Sequence, residues 1–180
     1  IGDCRWTEGF WADKFKLCEQ VMVPHMGEIL KGDVGHAYNN FKIAASLQEG
    51  AHQGMHWHDG DFYKWIESAM YVYAINKYES IDRELDEIIE VIGRAQEDDG
   101  YLMTWRTIDA KKPPSSWSGT AESWSDVMSG HELYCAGHLY EAAVAYYQAT
   151  GKKKLLDVAM KNAELIMSEF GPGRREEPPG

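Results

Sequence analysis

Cysteine is scarce and unpatterned: Cys4, Cys18 and Cys135 form no CxxC pair, so no disulfide scaffold is expected and reduced thiols are the default. Positive charge is short too. Eighteen Lys and Arg stand against 29 Asp and Glu, a formal net charge of −11. Nucleic acid or an anionic membrane surface would need a basic patch to displace counterions, so neither is an expected partner. No apolar run approaches the roughly 18–20 residues that cross a bilayer. Asp3 and Arg5 follow Ile1 at once and do not read as a signal peptide, which leaves cytoplasmic and secreted or periplasmic locations both open. With no initial Met, a processed or excised piece is expected. Gly32-Asp33-Val34-Gly35 lacks a phosphate-loop fingerprint and follows no strand, and no GxSxG elbow exists for a Ser-His-Asp triad.

Aromatic residues, by contrast, are plentiful. Seven Trp and ten Tyr are many for 180 residues; such rings are common in cores, and they also stack on sugars and bases. The hydrophobic pattern has helical period almost throughout. Phe10, Trp11, Phe15, Cys18 and Met22 step at helical intervals until Pro24, where a break is expected, with His25–Leu30 as a short second piece. A loop at Gly32 and Gly35 leads to a helix carrying Tyr38, Phe41, Ala45 and Leu47 and ending near Gly50.

From His58 the positions Phe62, Trp65, Ile66, Ala69, Val72 and Tyr73 mark a helix that Asp59 or Asp61 can cap. Ser80 to Gln96 repeats the pattern with Leu85, Ile88, Ile89, Ile92 and Ala95, and Gly100 is the expected left-handed residue past its end. Tyr101–Trp105 reads as short and extended. Residues 108–128 hold Pro113, Pro114, Trp117 and Trp124 without periodicity, a length usual only for lids and binding loops. Gly130–Thr150 and Lys152–Phe170 complete the helices, and residues 171–180 look like a linker or a cut through a loop. Glu67-Ser68-Ala69 to Tyr73-Ala74 aligns with Glu141-Ala142-Ala143 to Tyr147-Gln148 at a spacing of about 70 residues, as stacked helical hairpins would give. The expectation is an all-α chain of about three hairpins.

The stretch His56-Trp57-His58-Asp59-Gly60-Asp61-Phe62-Tyr63-Lys64 concentrates ionisable and aromatic side chains at the start of a helix. Beside the apolar stripe runs a polar one, Asp61, Lys64, Ser68 and Tyr71, suited to a cleft that grips a polar ring. A capped surface helix with two loop histidines accounts for it equally well. His131 and His138, seven residues apart, share a helix face but lie roughly 10.5 Å apart along the axis. That is too far for one metal, and His131-Glu132-Leu133-Tyr134-Cys135 lacks the second His of HExxH. They can line one groove; one core His and one surface His is the alternative. His56, His58, Asp59 and Asp61 contain enough donors for a metal site but have no distant partner. His36 and His52 read as exposed loop residues. No carboxylate pair among Asp59, Asp61, Glu67 and Glu132 declares itself as a glycosidase acid and base.

Three blocks taken together resemble glycoside hydrolase family 127, the β-L-arabinofuranosidase family. They are His58-Asp59-Gly60-Asp61-Phe62-Tyr63-Lys64-Trp65-Ile66-Glu67, then Ala95-Gln96 with Asp99-Gly100-Tyr101-Leu102, then His131-Glu132-Leu133-Tyr134-Cys135-Ala136-Gly137-His138-Leu139 through Ala149-Thr150-Gly151. Phe10-Trp11 and Asn40-Phe41 look like its opening helices. The resemblance implies an (α/α)6 barrel, of which residues 1–180 would be the N-terminal portion, about half the toroid. An apolar flank should then be open unless the remainder of the barrel or a second copy covers it.

It further implies a carbohydrate substrate and a retaining mechanism with a zinc-held Cys nucleophile and a Glu acid/base. Those motifs have no counterpart here, so no catalytic residue, no metal ligand and no bound cofactor are expected within this chain, zinc belonging to the full-length family enzyme. Cys135 lacks neighbouring Cys and Glu ligands and is not the nucleophile. By position in the matched blocks, His58, Asp59, Asp61 and Lys64 look like sugar contacts or their supports, and His131 and His138 like the opposite wall. Lys64 and Glu67 would form an orienting pair. Gly60, where the family often has a small hydroxyl residue, costs one hydrogen bond. A sugar isomerase or epimerase barrel and a non-catalytic helical interaction module are the rival readings.

Overall fold

The computed structural model describes residues 2–175. Helices α1 (Phe10–Leu17), α2 (Val23–Lys31), α3 (Ala37–Ala44), α4 (His58–Asn76), α5 (Glu79–Ala95), α6 (Thr104–Asp109), α7 (Val127–Gly130), α8 (Glu132–Thr150) and α9 (Lys154–Glu169) follow in order. Between them the described residues hold one isolated bridge, Phe170 with Arg175. It closes a turn over Gly171–Arg175, the described part of the expected tail; residues 176–180 lie outside the described residues.

Two hairpins, α4–α5 and α8–α9, repeat one design. Each first helix ends on a left-handed residue, Lys77 (φ 55°) or Gly151 (φ 76°), whose N–H donates to the carbonyl of Tyr73 or Tyr147 four residues back. These are the tyrosines the sequence repeat aligned. Helices α4 and α8 lie side by side and parallel: Gly60 abuts Tyr134 and Cys135 at one end, and Lys77 Nζ donates to the Ala149 carbonyl at 2.9 Å at the other. Small buried residues, Ala69 and Ala74 on one helix and Ala142, Ala145 and Ala149 on the other, permit the close approach. Outside them α5 and α9 also run in the same sense, tied by Lys152 to Asp82 and Asp86 (2.7 Å each) and by Gln96 Nε2 to the Val158 carbonyl (2.9 Å). Phe41, Phe62, Ile66, Met70, Ile88, Ile92, Tyr146 and Leu155 fill the shared core.

Pro24 does not break its helix, contrary to expectation. Residues Cys18–Met22 widen into a π turn in which the Val23 N–H donates to the Cys18 carbonyl, and Pro24 falls in the first turn of α2, directly after that widened turn. Trp65 Nε1 then donates to the Val23 carbonyl at 2.9 Å, and its ring lies so close to Gly27 that a Cβ there would sit 2.6 Å from it. The apolar positions of α1 remain uncovered: Phe10 is 63% and Trp11 66% exposed. Between α1–α2 and α4 an apolar groove of about 870 Å³ opens, lined by Phe15, Met22, Met26, Trp65, Tyr71 and Val72, with Asp61 and Lys64 at its margin.

Candidate functional site

The parallel register of α4 and α8 brings the first turns of both helices, and the segments leading into them, to the same end of the bundle. His131 is not on the helix expected over Gly130–Thr150. It stands between α7 and α8 with φ 59°, a left-handed kink that turns its imidazole back over Ser129. Its Nδ1 lies 2.6 Å from the Ser129 carbonyl, and His56 Nε2 lies 2.9 Å from the same oxygen. A carbonyl only accepts, so both ring nitrogens carry the proton. The 3.3 Å between them is therefore a contact of two donors. Nε2 is the other ring nitrogen of His131, and it makes no hydrogen bond among the described residues.

Aromatic rings surround this imidazole. Trp57 lies 5.3 Å from it, centroid to centroid, and Tyr134 meets it edge-on at 5.3 Å; Trp117, from the long loop, leans on Trp57 at 5.8 Å. Tyr134 in turn meets His138 at 4.7 Å, and Lys64 of α4 donates to the Tyr134 hydroxyl and to Asp61 Oδ1 (3.1 Å). Burial alone would pull the Lys64 ammonium down, but the bonds to Tyr134 and Asp61 outweigh it and hold the pKa above its ordinary value. Asp61, Lys64, His131 and His138 thus converge around Tyr134, which sequence reasoning did not single out although it lies inside the third block.

The other two candidate contacts are placed differently. Asp59, expected to cap α4 or touch sugar, is buried and turned inward: its two oxygens accept from the backbone N–H and the hydroxyl of Thr104, both at 2.7 Å, fastening the start of α6 to α4. Burial raises its carboxyl to about 6 despite those bonds. No side chain caps α4. His58 packs against Gly54, and its Nδ1 accepts from the Met55 N–H at 3.4 Å. Lys64 and Glu67 do not pair, because Glu67 accepts from Tyr71 at 2.7 Å instead. His52 is no exposed loop residue: burial, reinforced by His58, His56 and His36, lowers its pKa to about 4.

The loop is anchored by buried charge. Glu132, in the first turn of α8, accepts from the Tyr101 hydroxyl (2.6 Å) and the Trp124 N–H (3.0 Å) and lies 3.2 Å from Arg106 Nε, an ion pair angled away from a hydrogen bond. Arg106 also donates to the Thr120 carbonyl. The loop is thereby held so that Ser118, fully buried, meets His56 Nδ1 at 2.9 Å. Each carboxylate near His131 is engaged within the chain, Asp59 by Thr104, Asp61 by Lys64 and Glu132 by Arg106.

Among the described residues no group of three or more His, Cys, Asp and Glu could hold a metal ion. Cys135 does not fit a zinc thiolate: it is buried, its sulfur is 3.9 Å from the Trp57 carbonyl, and burial, with Asp59 adding to it, pushes the thiol well above its ordinary pKa. This arrangement can bind, orient and exclude water.

Residues 3–178 match the model of the β-L-arabinofuranosidase GH127 catalytic domain. The chain belongs to that family. It is similar to a non-reducing end β-L-arabinofuranosidase of Bifidobacterium longum subsp. longum, 37% identical over 146 residues, which are 81% of this chain and 21% of the relative. The crystal structure of a GH127 β-L-arabinofuranosidase from Geobacillus stearothermophilus T6 superposes with a TM-score of 0.83 at 37% identity, covering 94% of this chain and 26% of the other. A solved GH127 β-arabinofuranosidase gives 0.87 at 34% identity over 98% and 28%. The all-helical hairpins are thus a part of the GH127 (α/α)6 barrel fold, and the chain spans 21–28% of the length of these relatives. The matches do not favour the isomerase or interaction-module readings.

Proposed function

We propose that this chain supplies the sugar-recognition wall of a β-L-arabinofuranosidase acting on terminal arabinofuranosyl or related residues. The observation that carries this is Nε2 of His131, without a hydrogen-bond partner among the described residues, held between Trp57 and Tyr134 and joined through Tyr134 to Lys64. A furanose ring offers hydroxyls that both donate and accept and C–H edges that pack on aromatic faces. His131 Nε2 accepts from one hydroxyl, the ammonium of Lys64 donates to another, and Trp57 takes the ring. His138, across Tyr134, and Asp61, through Lys64, complete the wall, with His58 behind Trp57. The apolar groove beside α1–α2 suits no hydroxyl; residues 1–180 being the N-terminal portion of one barrel domain, that face is covered by the rest of the barrel or by a second copy. The zinc-held Cys and the Glu acid/base come from outside these residues, and residues 1–180 alone are catalytically silent.

The test is hydrolysis of an aryl β-L-arabinofuranoside by the protein at its natural length. Release of arabinose is expected, with His131→Ala lowering kcat/KM at least about 100-fold. Isomerisation of free arabinose without hydrolysis, or full activity in His131→Ala, would overturn the assignment.

A further inference from the structure

Three features lie outside the wall itself: the apolar groove by α1–α2, the Arg106–Glu132 pair and the buried His56. The last carries furthest. His56 is 1% exposed, yet both of its ring nitrogens are used, and by partners from two other segments. The direction of each bond can be read. Ser118 Oγ accepts from the Ser115 N–H at 3.1 Å and lies 2.8 Å from the Ser115 hydroxyl, which leaves its own proton for His56 Nδ1. The proton on the other side of His56, at Nε2, goes to the Ser129 carbonyl, which also receives His131 Nδ1–H. Burial lowers the His56 pKa, outweighing the Ser129 bond, so the neutral ring that this pattern requires is the favoured form.

We infer that His56 is a positioning residue: pinned by Ser118 of the long loop, it orients the Ser129 carbonyl, which locks His131 in the Nδ1–H tautomer with Nε2 turned to the sugar. The edge-on contact of the two imidazoles, 5.1 Å between centroids, fixes the ring plane of His131 as well. A neighbour that holds a ligating imidazole through its second nitrogen sets both orientation and basicity, the role that carboxylates and carbonyls play behind metal-bound histidines. The loop with Trp117 and Ser118 therefore acts on His131 from behind, as well as forming the rim in front of it. This inference rests on the reading of His131 as a sugar contact, and its test separates the two.

In the natural-length protein labelled with 15N-histidine, the His131 nitrogen shifts report its tautomer without any sugar. The wild type is expected to show Nδ1–H alone. In His56→Phe, Nε2–H is expected to appear, and KM for the aryl arabinofuranoside to rise about tenfold with kcat little changed. His56→Gln, whose amide can still donate to the Ser129 carbonyl, is expected to restore both; Ser118→Ala, a milder change, is expected to give an intermediate mixture and keeps the test open if His56→Phe does not fold. An unchanged His131 tautomer in folded His56→Phe or Ser118→Ala would overturn the positioning role. A changed tautomer with unchanged KM would leave the lock standing and overturn the reading of His131 as a sugar contact.

Discussion

Helices α4 and α8 start alike, each with a buried carboxylate in its first turn, Asp59 in one and Glu132 in the other, and the two charges are handled in opposite ways. Glu132 faces a cation, Arg106, and is further bonded to Tyr101 and Trp124. Asp59 has no cation against it among the described residues; two donors from Thr104 satisfy its oxygens, and burial raises its pKa to about 6. The first arrangement is rigid and costly to break, because either partner left alone is a desolvated charge. The second tolerates neutralisation, because a protonated or amide side chain can still meet Thr104. His131 stands directly before the helix that carries the rigid one.

The largest expected effect follows from that difference. Glu132→Ala strands Arg106, whose Nη2 already has no hydrogen-bond partner among the described residues, and is expected to cost about 3–5 kcal/mol in chemical denaturation. The double variant Arg106→Met with Glu132→Leu should cost less than Glu132→Ala; an equal or greater loss would show that the ion pair is not what makes the site rigid. At the other helix, Asp59→Ala leaves two buried donors unmet and should cost about 2–4 kcal/mol, whereas Asp59→Asn, able to accept from the Thr104 N–H and donate to its hydroxyl, should stay within about 1 kcal/mol.

The pH dependence sharpens the comparison. Asp59 has a raised carboxyl, so its share of stability is present below the ordinary Asp range and is lost as pH rises through about 6. His52 has a lowered imidazole, so its share is present above the ordinary His range and is lost as pH falls toward about 4. The two oppose one another between those limits. Asp59→Asn should therefore steepen the gain in stability from pH 4 to 6, and His52→Gln should flatten it by roughly 1–2 kcal/mol, a figure reduced for the partial exposure of His52. Urea titrations at a series of pH values read both. The smallest effect belongs to the outer helices: Lys152→Ala, which removes the part-exposed bridges to Asp82 and Asp86, should change stability by less than about 1 kcal/mol.

The hairpins α4–α5 and α8–α9 were legible in the sequence because their apolar residues recur at helical period and their Tyr-containing ends align. The continuity of α1 and α2 was not, since a π turn that absorbs Pro24 leaves no mark in the apolar pattern. At the site, the third block pointed to His131 and His138, but a left-handed residue other than Gly has no sequence signal, so the kink at His131 and its bond to Ser129 stayed hidden. The burial of Asp59 and His56 was not legible, for one reason. Both precede or open a helix as exposed polar residues do, and only contacts with Thr104, Ser118 and Ser129, distant in the chain, bury them. The pairing of Glu132 with Arg106 across the loop is non-local in the same way. Pro113, Pro114 and the two Trp of that loop did indicate a segment with something to cover.

A crystal structure of the natural-length protein with L-arabinose bound tests most directly whether the joined first turns of α4 and α8 grip a furanose. The expected result is a sugar hydroxyl within hydrogen-bonding distance of His131 Nε2, with the ring against Trp57. A sugar bound with His131 Nε2 and Trp57 untouched would contradict it.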